Sequence, residues 1–333
     1  MRVWDSDTQV PGQLGWDPSA SVCSPWYGLL EKAGVLSFSK NGDCANPASL
    51  GGGVFTLLLA DTWYPDWWQA LILGMVQGIT EFLPISSTAH LRVFPALVGW
   101  PDAGASFTAV IQLGSLGAVL IYFASDLRQL ILGSWKAWRE RDFQQEPWRL
   151  SVGILVGTVP IVVVGWAIKA IWGSPPRQLW VIAVAAIGLA VLLGWAEQTG
   201  KRQRDLHSLG IWDGIWVGLA QALSLIPGVS RSGSTLTAGL FLHLQRSAAA
   251  RYSFLLGIPA LFLAGVVEFI SEFEAEALLP QGLGTLSAFV FSYLSIDWLI
   301  QFLQRSSTWL FIVYRIGFGL FIILGLALGF LRP

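Results

Sequence analysis

Six apolar runs in the 333-residue chain are long enough to cross a bilayer, at about 20 residues per helical crossing. They cover roughly 104–124, 149–172, 178–197, 248–271, 283–304 and 308–331. Two further stretches, 67–100 and 210–245, are apolar but interrupted, the first at "LPISST" and the second at "IPGVSRSGS". Pro and Gly at these interruptions end a helix, and the residues that follow reopen one. Broken backbone at membrane depth is tolerated only within protein or beside a water-filled cavity. Each interrupted stretch is therefore predicted to be a re-entrant helical hairpin. The pattern predicts an all-α polytopic membrane protein with six transmembrane helices and two such hairpins.

The interrupted stretches resemble each other. "QGITEFLPIS" runs from Gln77 to Ser86 and "QALSLIPGVS" from Gln221 to Ser230, each with Gln nine residues before Ser. The helices that follow align at a similar offset, "FTAVIQLG" from Phe107 and "YSFLLGIP" from Tyr252. The chain thus reads as two repeats, about 66–200 and 208–333, each a hairpin plus three spans.

Loop charge orients them. Arg128, Lys136, Arg139, Arg141 and Arg149 fall in a predicted loop over 125–149. Lys201, Arg202 and Arg204 fall in the next, and Arg246, Arg251 and Arg305 in short connections. Glu272, Glu274 and Glu276 mark an acidic loop over 272–282. With basic loops in the cytoplasm, the first hairpin enters from outside and the second from inside. The repeats are then inverted, both termini lie outside, and Arg177 is the exception.

Composition agrees: 54% of residues are hydrophobic, 12% are charged, and mean hydropathy is +0.59. Trp67, Trp68, Trp148, Trp172 and Trp180 stand near run ends, as interfacial anchors do. A net charge of −1 gives a nucleic-acid partner no electrostatic support. Residues 1–65 are rich in Gly, Pro, Ser and Asp, and their one apolar run, "VFTLLLA", is too short to span. They read as a poorly ordered N-terminal extension, or as a gene start placed too early. Both cysteines, Cys23 and Cys44, lie there and pair only if the extension is extracytoplasmic. Glu197, Asp213, Glu268 and Asp297 read as interfacial or packing residues.

Polar residues gather at the two breaks, where the hairpin tips are predicted to meet near the midplane. Ser86, Ser87 and Thr88 reopen one helix, and Ser232, Gly233, Ser234 and Thr235 the other. Hydroxyl residues cap free N–H groups at such positions, and helix N-termini attract phosphate. Arg231 adds a permanent charge with a fork of donors, with Gly228 and Gly233 allowing close backbone approach. Gln77 and Glu81 share a helix face. Glu81 has three readings: a divalent-cation ligand bridging to phosphate, a partner of Arg231, or a base. Histidine as a residue type titrates near neutrality, which makes His90 a candidate proton carrier. Ser87 is a candidate nucleophile or a phosphate donor. Gln221 matches Gln77 in the repeat. Singly, each Ser or Thr is as well explained as a helix cap; their joint placement at two matching breaks favours a site.

"QGITEFLPISSTAH" and "PGVSRSGST" resemble the two motifs of the undecaprenyl-diphosphate phosphatase family, the BacA or UppP bacitracin-resistance proteins. "VIQLGS", "YSFLLGIP" and the pair Tyr314–Arg315 add to the resemblance, which covers about 66–333. It implies an integral enzyme of the bacterial plasma (inner) membrane that hydrolyses undecaprenyl diphosphate to undecaprenyl phosphate and inorganic phosphate. That reaction recycles the lipid carrier of peptidoglycan synthesis and confers bacitracin resistance. The resemblance further implies Ser87 and His90 as catalytic residues, Arg231 as the phosphate-binding arginine, and a divalent cation, Mg2+ or Ca2+. Gln77 stands where the family has Glu or Gln, so Glu81 and Gln77 are the candidate metal ligands, with one carboxylate between them. Ser86, Thr88, Gln221, Ser230, Ser232, Gly233, Ser234 and Thr235 complete the expected substrate-binding set. The expected partners are a polyprenyl diphosphate and membrane lipids, with an active site facing the extracytoplasmic side and a homodimer left open. The competing expectation is a prenyl-phosphate transporter or flippase using the same residues.

Overall fold

A computed structural model describes residues 64–172, 178–272 and 278–331. The N-terminal extension with Cys23 and Cys44, Arg177, Glu274 and Glu276 lie outside the described residues, as do the side chains of Trp172, Glu268 and Glu272. The described residues form eleven α-helices and no strand. α1 (Trp67–Phe82) and α2 (Ser87–Val98) flank the first break, and α7 (Ile211–Ala222) and α8 (Arg231–Phe241) the second. The remaining helices are α3 (Gly104–Tyr122), α4 (Ala124–Glu140), α5 (Glu146–Trp172), α6 (Leu179–Thr199), α9 (Arg246–Glu272), α10 (Leu278–Arg305) and α11 (Trp309–Leu328). α5, α6, α9, α10 and α11 are long and apolar enough to cross a membrane, and α3 with α4 makes a sixth candidate if the bent pair is one span. The chain is a multi-pass membrane protein.

One expectation is corrected. The predicted loop over 125–149 is mostly helix: the chain bends by 67° after α3 and continues as α4. Its cations hide an apolar stripe, Leu127, Leu130, Ile131, Trp135 and Trp138, at the three- and four-residue spacing of an amphipathic helix.

α1 packs along α10, and α7 packs along α5, so the helix before each break lies on a long helix from the other half of the described residues. Both crossings are made by small residues four apart. Gly74 and Gly78 meet Gly284 and Ala288; Gly214 and Gly218 meet Gly153 and Gly157. A Cβ at Gly218 would fall on the carbonyl oxygen of Gly157, and one at Gly78 on that of Ala288. In hydrocarbon, where apolar side chains gain nothing by leaving lipid, such close backbone approach is what holds helices together. Hydroxyls add to it: Ser287 donates to the Leu71 carbonyl at 2.7 Å and Ser292 to Ser115 at 2.8 Å.

Ion pairs knit the end of the bundle that carries the basic connections. Buried Glu197 accepts from Arg246, Arg202 lies 3.4 Å away, and Thr308 donates at 2.8 Å. Arg204 holds Asp213 at 2.8 Å, and Asp213 also takes the Gly210 N–H. Asp297 accepts from Tyr122 at 3.1 Å. These acids serve packing, as their positions near helix ends suggested.

Candidate active site

The two breaks meet at one place, and each reopens a helix at a serine of positive φ. α1 ends at Phe82, the chain turns through Leu83, Pro84 and Ile85, and Ser86 stands at the N-cap position of α2 with φ 76°. α7 ends in a short 3-10 turn, Gly228 turns at φ 95°, and Ser230 caps α8 with φ 62°. Ser86 and Ser230, matched in the sequence repeat, thus share a left-handed conformation that non-glycine residues rarely adopt. Such strain costs on the order of 1–3 kcal/mol and persists where the surroundings enforce it.

Arg315 is much of that enforcement. Its side chain is 0% exposed. Nη1 donates to the Pro84 carbonyl at 3.1 Å, Nη2 to Gly228 at 2.9 Å and Nε to Ala186 at 3.1 Å. One guanidinium so satisfies backbone carbonyls of both breaks, which would otherwise be orphaned at membrane depth. Ser232 ties them again, donating to the Leu83 carbonyl at 2.9 Å.

The first residues of the reopened helices, Ser87 and Arg231, converge on Glu81. Arg231 Nη2 lies 3.1 Å from Glu81 Oε1. The Ser87 hydroxyl donates to Oε2 at 2.6 Å, and Gln77 Nε2 donates to the same oxygen at 3.0 Å. Ser86 makes no side-chain cap to α2, and its hydroxyl lies 3.1 Å from that of Thr88. A cavity of about 160 Å³ covers these groups. Gln77, Glu81, Ser86, Ser87, Thr88, Ser230 and Arg231 line its polar side. Ile161, Ala260, Leu261 and Ala264 line an apolar side, from α5 and α9. A small anion attached to an apolar chain suits both walls.

Other expected residues are placed elsewhere. His90 and Ser87 have different hydrogen-bond partners. Its Nδ1 lies 2.7 Å from the Ser86 carbonyl and its Nε2 2.7 Å from the Tyr314 hydroxyl, with Phe318 stacked on the ring at 4.4 Å. Nδ1 facing a carbonyl must donate, so in the neutral ring Nε2 accepts from Tyr314. The hydrogen bond at Ser87 goes to Glu81, and the expected Ser87–His90 relay is not the contact present. Ser232, Gly233, Ser234 and Thr235 do not line the cavity. Ser234 and Thr235 bond back to the Arg231 carbonyl, and Thr235 also meets Ser253 at 2.5 Å. Gly233 takes the cap from Ser230 at 3.1 Å. Gln221 is fully buried, lies off the cavity, and its side-chain amide has no hydrogen-bond partner among the described residues. Three polar lining residues were missed, Thr108, Gln112 and Ser224, along with the four apolar ones. Gln112 carried a signal, a lone amide within the apolar run "VIQLG".

The donor set also bears on a metal. Glu81 is the one carboxylate lining the cavity, and no group of three His, Cys, Asp or Glu side chains among the described residues can hold an ion. Oxygens of Glu81, Gln77, Ser86 and Ser87 suit a hard divalent cation that completes its shell with phosphate and water, and do not make a cage without them.

The family model described as "Bacitracin resistance protein BacA" matches residues 70–321, which include every residue of this site. The chain belongs to the BacA family. Relatives in the family carry the name undecaprenyl-diphosphatase. One from Synechococcus sp. (strain JA-2-3B'a(2-13)) is 99% identical over 277 residues, 83% of this chain and 100% of the relative. Another, from Synechococcus elongatus, is 54% identical over 80% of this chain and 96% of its own length. A third, from Nostoc sp. (strain PCC 7120), is 52% identical over 92% of this chain and 97% of its own.

Within this BacA-family site, Gly257 has a role that sequence reading did not reach. Arg231 Nη1 donates to its carbonyl at 2.9 Å, and a Cβ at 257 would overlap that same nitrogen. Gly257→Ala is expected to push the guanidinium off Glu81 and lower kcat/KM by about tenfold or more, since sub-ångström misplacement of a catalytic group is costly. Kinetics on the purified variant check this, with its melting temperature measured alongside; unchanged kcat/KM would show that the guanidinium tolerates the methyl.

Proposed function

We propose that this chain is an undecaprenyl-diphosphatase, hydrolysing undecaprenyl diphosphate to undecaprenyl phosphate and inorganic phosphate. The observation that carries the reading is Glu81 holding both the Ser87 hydroxyl and the Arg231 guanidinium beneath a cavity with one apolar side. The names of the BacA-family relatives support it. In this reading Arg231 and the N-terminus of α2 bind the diphosphate and stabilise charge developing in the transition state. Glu81 accepts the Ser87 proton as Oγ attacks the terminal phosphorus. The bond from that phosphorus to the bridging oxygen breaks, and undecaprenyl phosphate leaves with the electron pair. Water then displaces the phosphoryl group from Ser87, and Glu81 returns the proton to Oγ. His90, between Ser86 and Tyr314, holds the backbone that presents Ser87. A divalent cation, Mg2+ or Ca2+, would be held by Glu81 with Gln77 and would neutralise phosphate charge.

The finer architecture belongs to the same proposal. Six transmembrane helices and two re-entrant hairpins form an inverted repeat, 66–200 and 208–333, after an extension over 1–65. The like breaks and like glycine crossings support the repeat, and the clustered cations support a cytoplasmic end opposite the site. The site then faces outward from the bacterial inner membrane, where the reaction serves lipid-carrier recycling for peptidoglycan and bacitracin resistance.

The decisive experiment is phosphate release from undecaprenyl diphosphate by purified protein in detergent, with and without Mg2+ or Ca2+. Turnover is expected from the native chain. Glu81→Gln should reduce it at least ~100-fold, the usual worth of a positioned base, while the protein remains folded. The second reading, a prenyl-phosphate transporter, is favoured by the paired broken helices. Lipid binding without phosphate release would select it.

A further inference from the structure

α4 is the element that the catalytic reading leaves without a purpose. It leaves α3 at 67° and carries an exposed apolar stripe of Ile131, Trp135 and Trp138, 66%, 59% and 54% exposed. The face beside the stripe is the one packed against protein. Gly133 abuts Pro147, and Ser134 bonds the Pro147 carbonyl and Ser151 of α5 at 2.9 and 2.8 Å. Asp126 pins the start of α4 to Arg251 of α9 at 2.8 Å. Round the helix, at 3.6 residues per turn, the packed face gives way to the apolar stripe. The stripe then gives way to Arg128 and Arg139, with Leu132 and Lys136 beyond. Lys136 faces Glu140 at 3.9 Å, whereas Arg128, Arg139 and Arg141 make no ion pair among the described residues. The two carboxylates on α4 are thus already engaged, Asp126 by Arg251 and Glu140 by Lys136 and Gln145.

We propose that α4 is an interfacial helix that binds anionic phospholipid, its Ile131–Trp135–Trp138 stripe in the acyl boundary and Arg128, Arg139 and Arg141 on the headgroup phosphates. Exposed Trp beside uncompensated Arg on a helix of high amphipathicity is the chemistry of a charged lipid surface. A second protein chain covering the stripe would have to supply carboxylates for three arginines. An anionic leaflet supplies phosphates at every position along it. The 67° bend supports this further, because it turns the helix away from the line of α3. The proposal is independent of the phosphatase reading.

The test uses the full chain in nanodiscs, with tryptophan quenching by brominated phosphatidylglycerol or brominated phosphatidylcholine at equal mole fraction. The α4 signal is the difference between the native chain and Trp135→Phe/Trp138→Phe. Quenching of that signal is expected to be several-fold stronger with the glycerol lipid, and to fall toward parity as salt is raised to screen the arginines. The variant Arg128→Gln/Arg139→Gln/Arg141→Gln should lose the preference while keeping acyl-chain quenching. Equal quenching by the two lipids in the native chain overturns the proposal. So does a preference that survives both high salt and the triple variant. Absence of quenching with crosslinks from residue 132 to another chain overturns it in favour of a protein partner.

Discussion

Arg231→Ala is expected to reduce phosphate release by about 10³-fold or more, the worth of an arginine that stabilises transferring phosphoryl charge. The residue is singular in the site. Of the residues lining the cavity it is the one cation, and its guanidinium bridges Glu81 Oε1 and the Gly257 carbonyl. Removing it loses the diphosphate's counter-charge and strands a buried carboxylate, which alone can cost about 3–5 kcal/mol of stability. Two variants separate these effects. Arg231→Lys keeps the charge but cannot span Glu81 and Gly257 with a planar fork, so folded protein with activity reduced by at least ~100-fold is expected. Arg231→Ala/Glu81→Gln removes the stranded charge, and should recover melting temperature over Arg231→Ala without recovering turnover. Thermal unfolding in detergent and phosphate release are the two measurements. Arg231→Lys at native kcat/KM would remove the guanidinium from the mechanism.

Gly218→Val is expected to prevent accumulation of folded protein. Its Cβ would overlap the Gly157 carbonyl, a backbone atom that cannot rotate away. Relief requires α7 and α5 to part, and α7 leads into the break that presents Ser230 and Arg231. Overpacking costs about 1–3 kcal/mol even where side chains can adjust, and here no side chain is available to move. Gly78→Val should behave alike at the matching α1–α10 crossing. Gly188→Ala is the control, because a Cβ there meets nothing within 4 Å. Fluorescence-detected gel filtration should give a monodisperse peak for Gly188→Ala and aggregate for the two valine variants. A monodisperse Gly218→Val with native melting temperature would show that the crossing is not load-limited by backbone contact.

Much of the site was legible because its residues are anomalous where they sit. Glu81 and Arg231 stand out in apolar surroundings, and Pro84 and Gly228 announce the breaks. Their meeting was legible too, from the matched spacing of Gln77 to Ser86 and Gln221 to Ser230. Residues of ordinary character were not. Thr108 and Ser224 line the cavity because α3 and the turn after α7 reach it, and nothing local in their runs states that; the lone amide of Gln112 marked that residue without placing it. Ser232, Ser234 and Thr235 erred in the opposite direction. Hydroxyls near a helix start suit a phosphate, but they suit backbone carbonyls within the same helix equally well. α4 was hidden because counting cations for orientation treats them as loop, whereas an interfacial helix needs cations and apolar residues together.

By itself the sequence determined that the chain is helical with several runs apolar enough to cross a membrane, where it breaks, and that it does so twice. Span length and the effects of Pro and Gly are local, set by the bilayer and by backbone sterics. Only the tertiary structure decided which polar groups face one another. His90 turned to Tyr314, 224 residues away, Ser87 turned to Glu81, and Arg315 joined the carbonyls of both breaks. Those choices depend on how closely helices approach, and the approach is fixed by glycines meeting backbone across the α1–α10 and α5–α7 crossings. No window of neighbouring residues contains that distance.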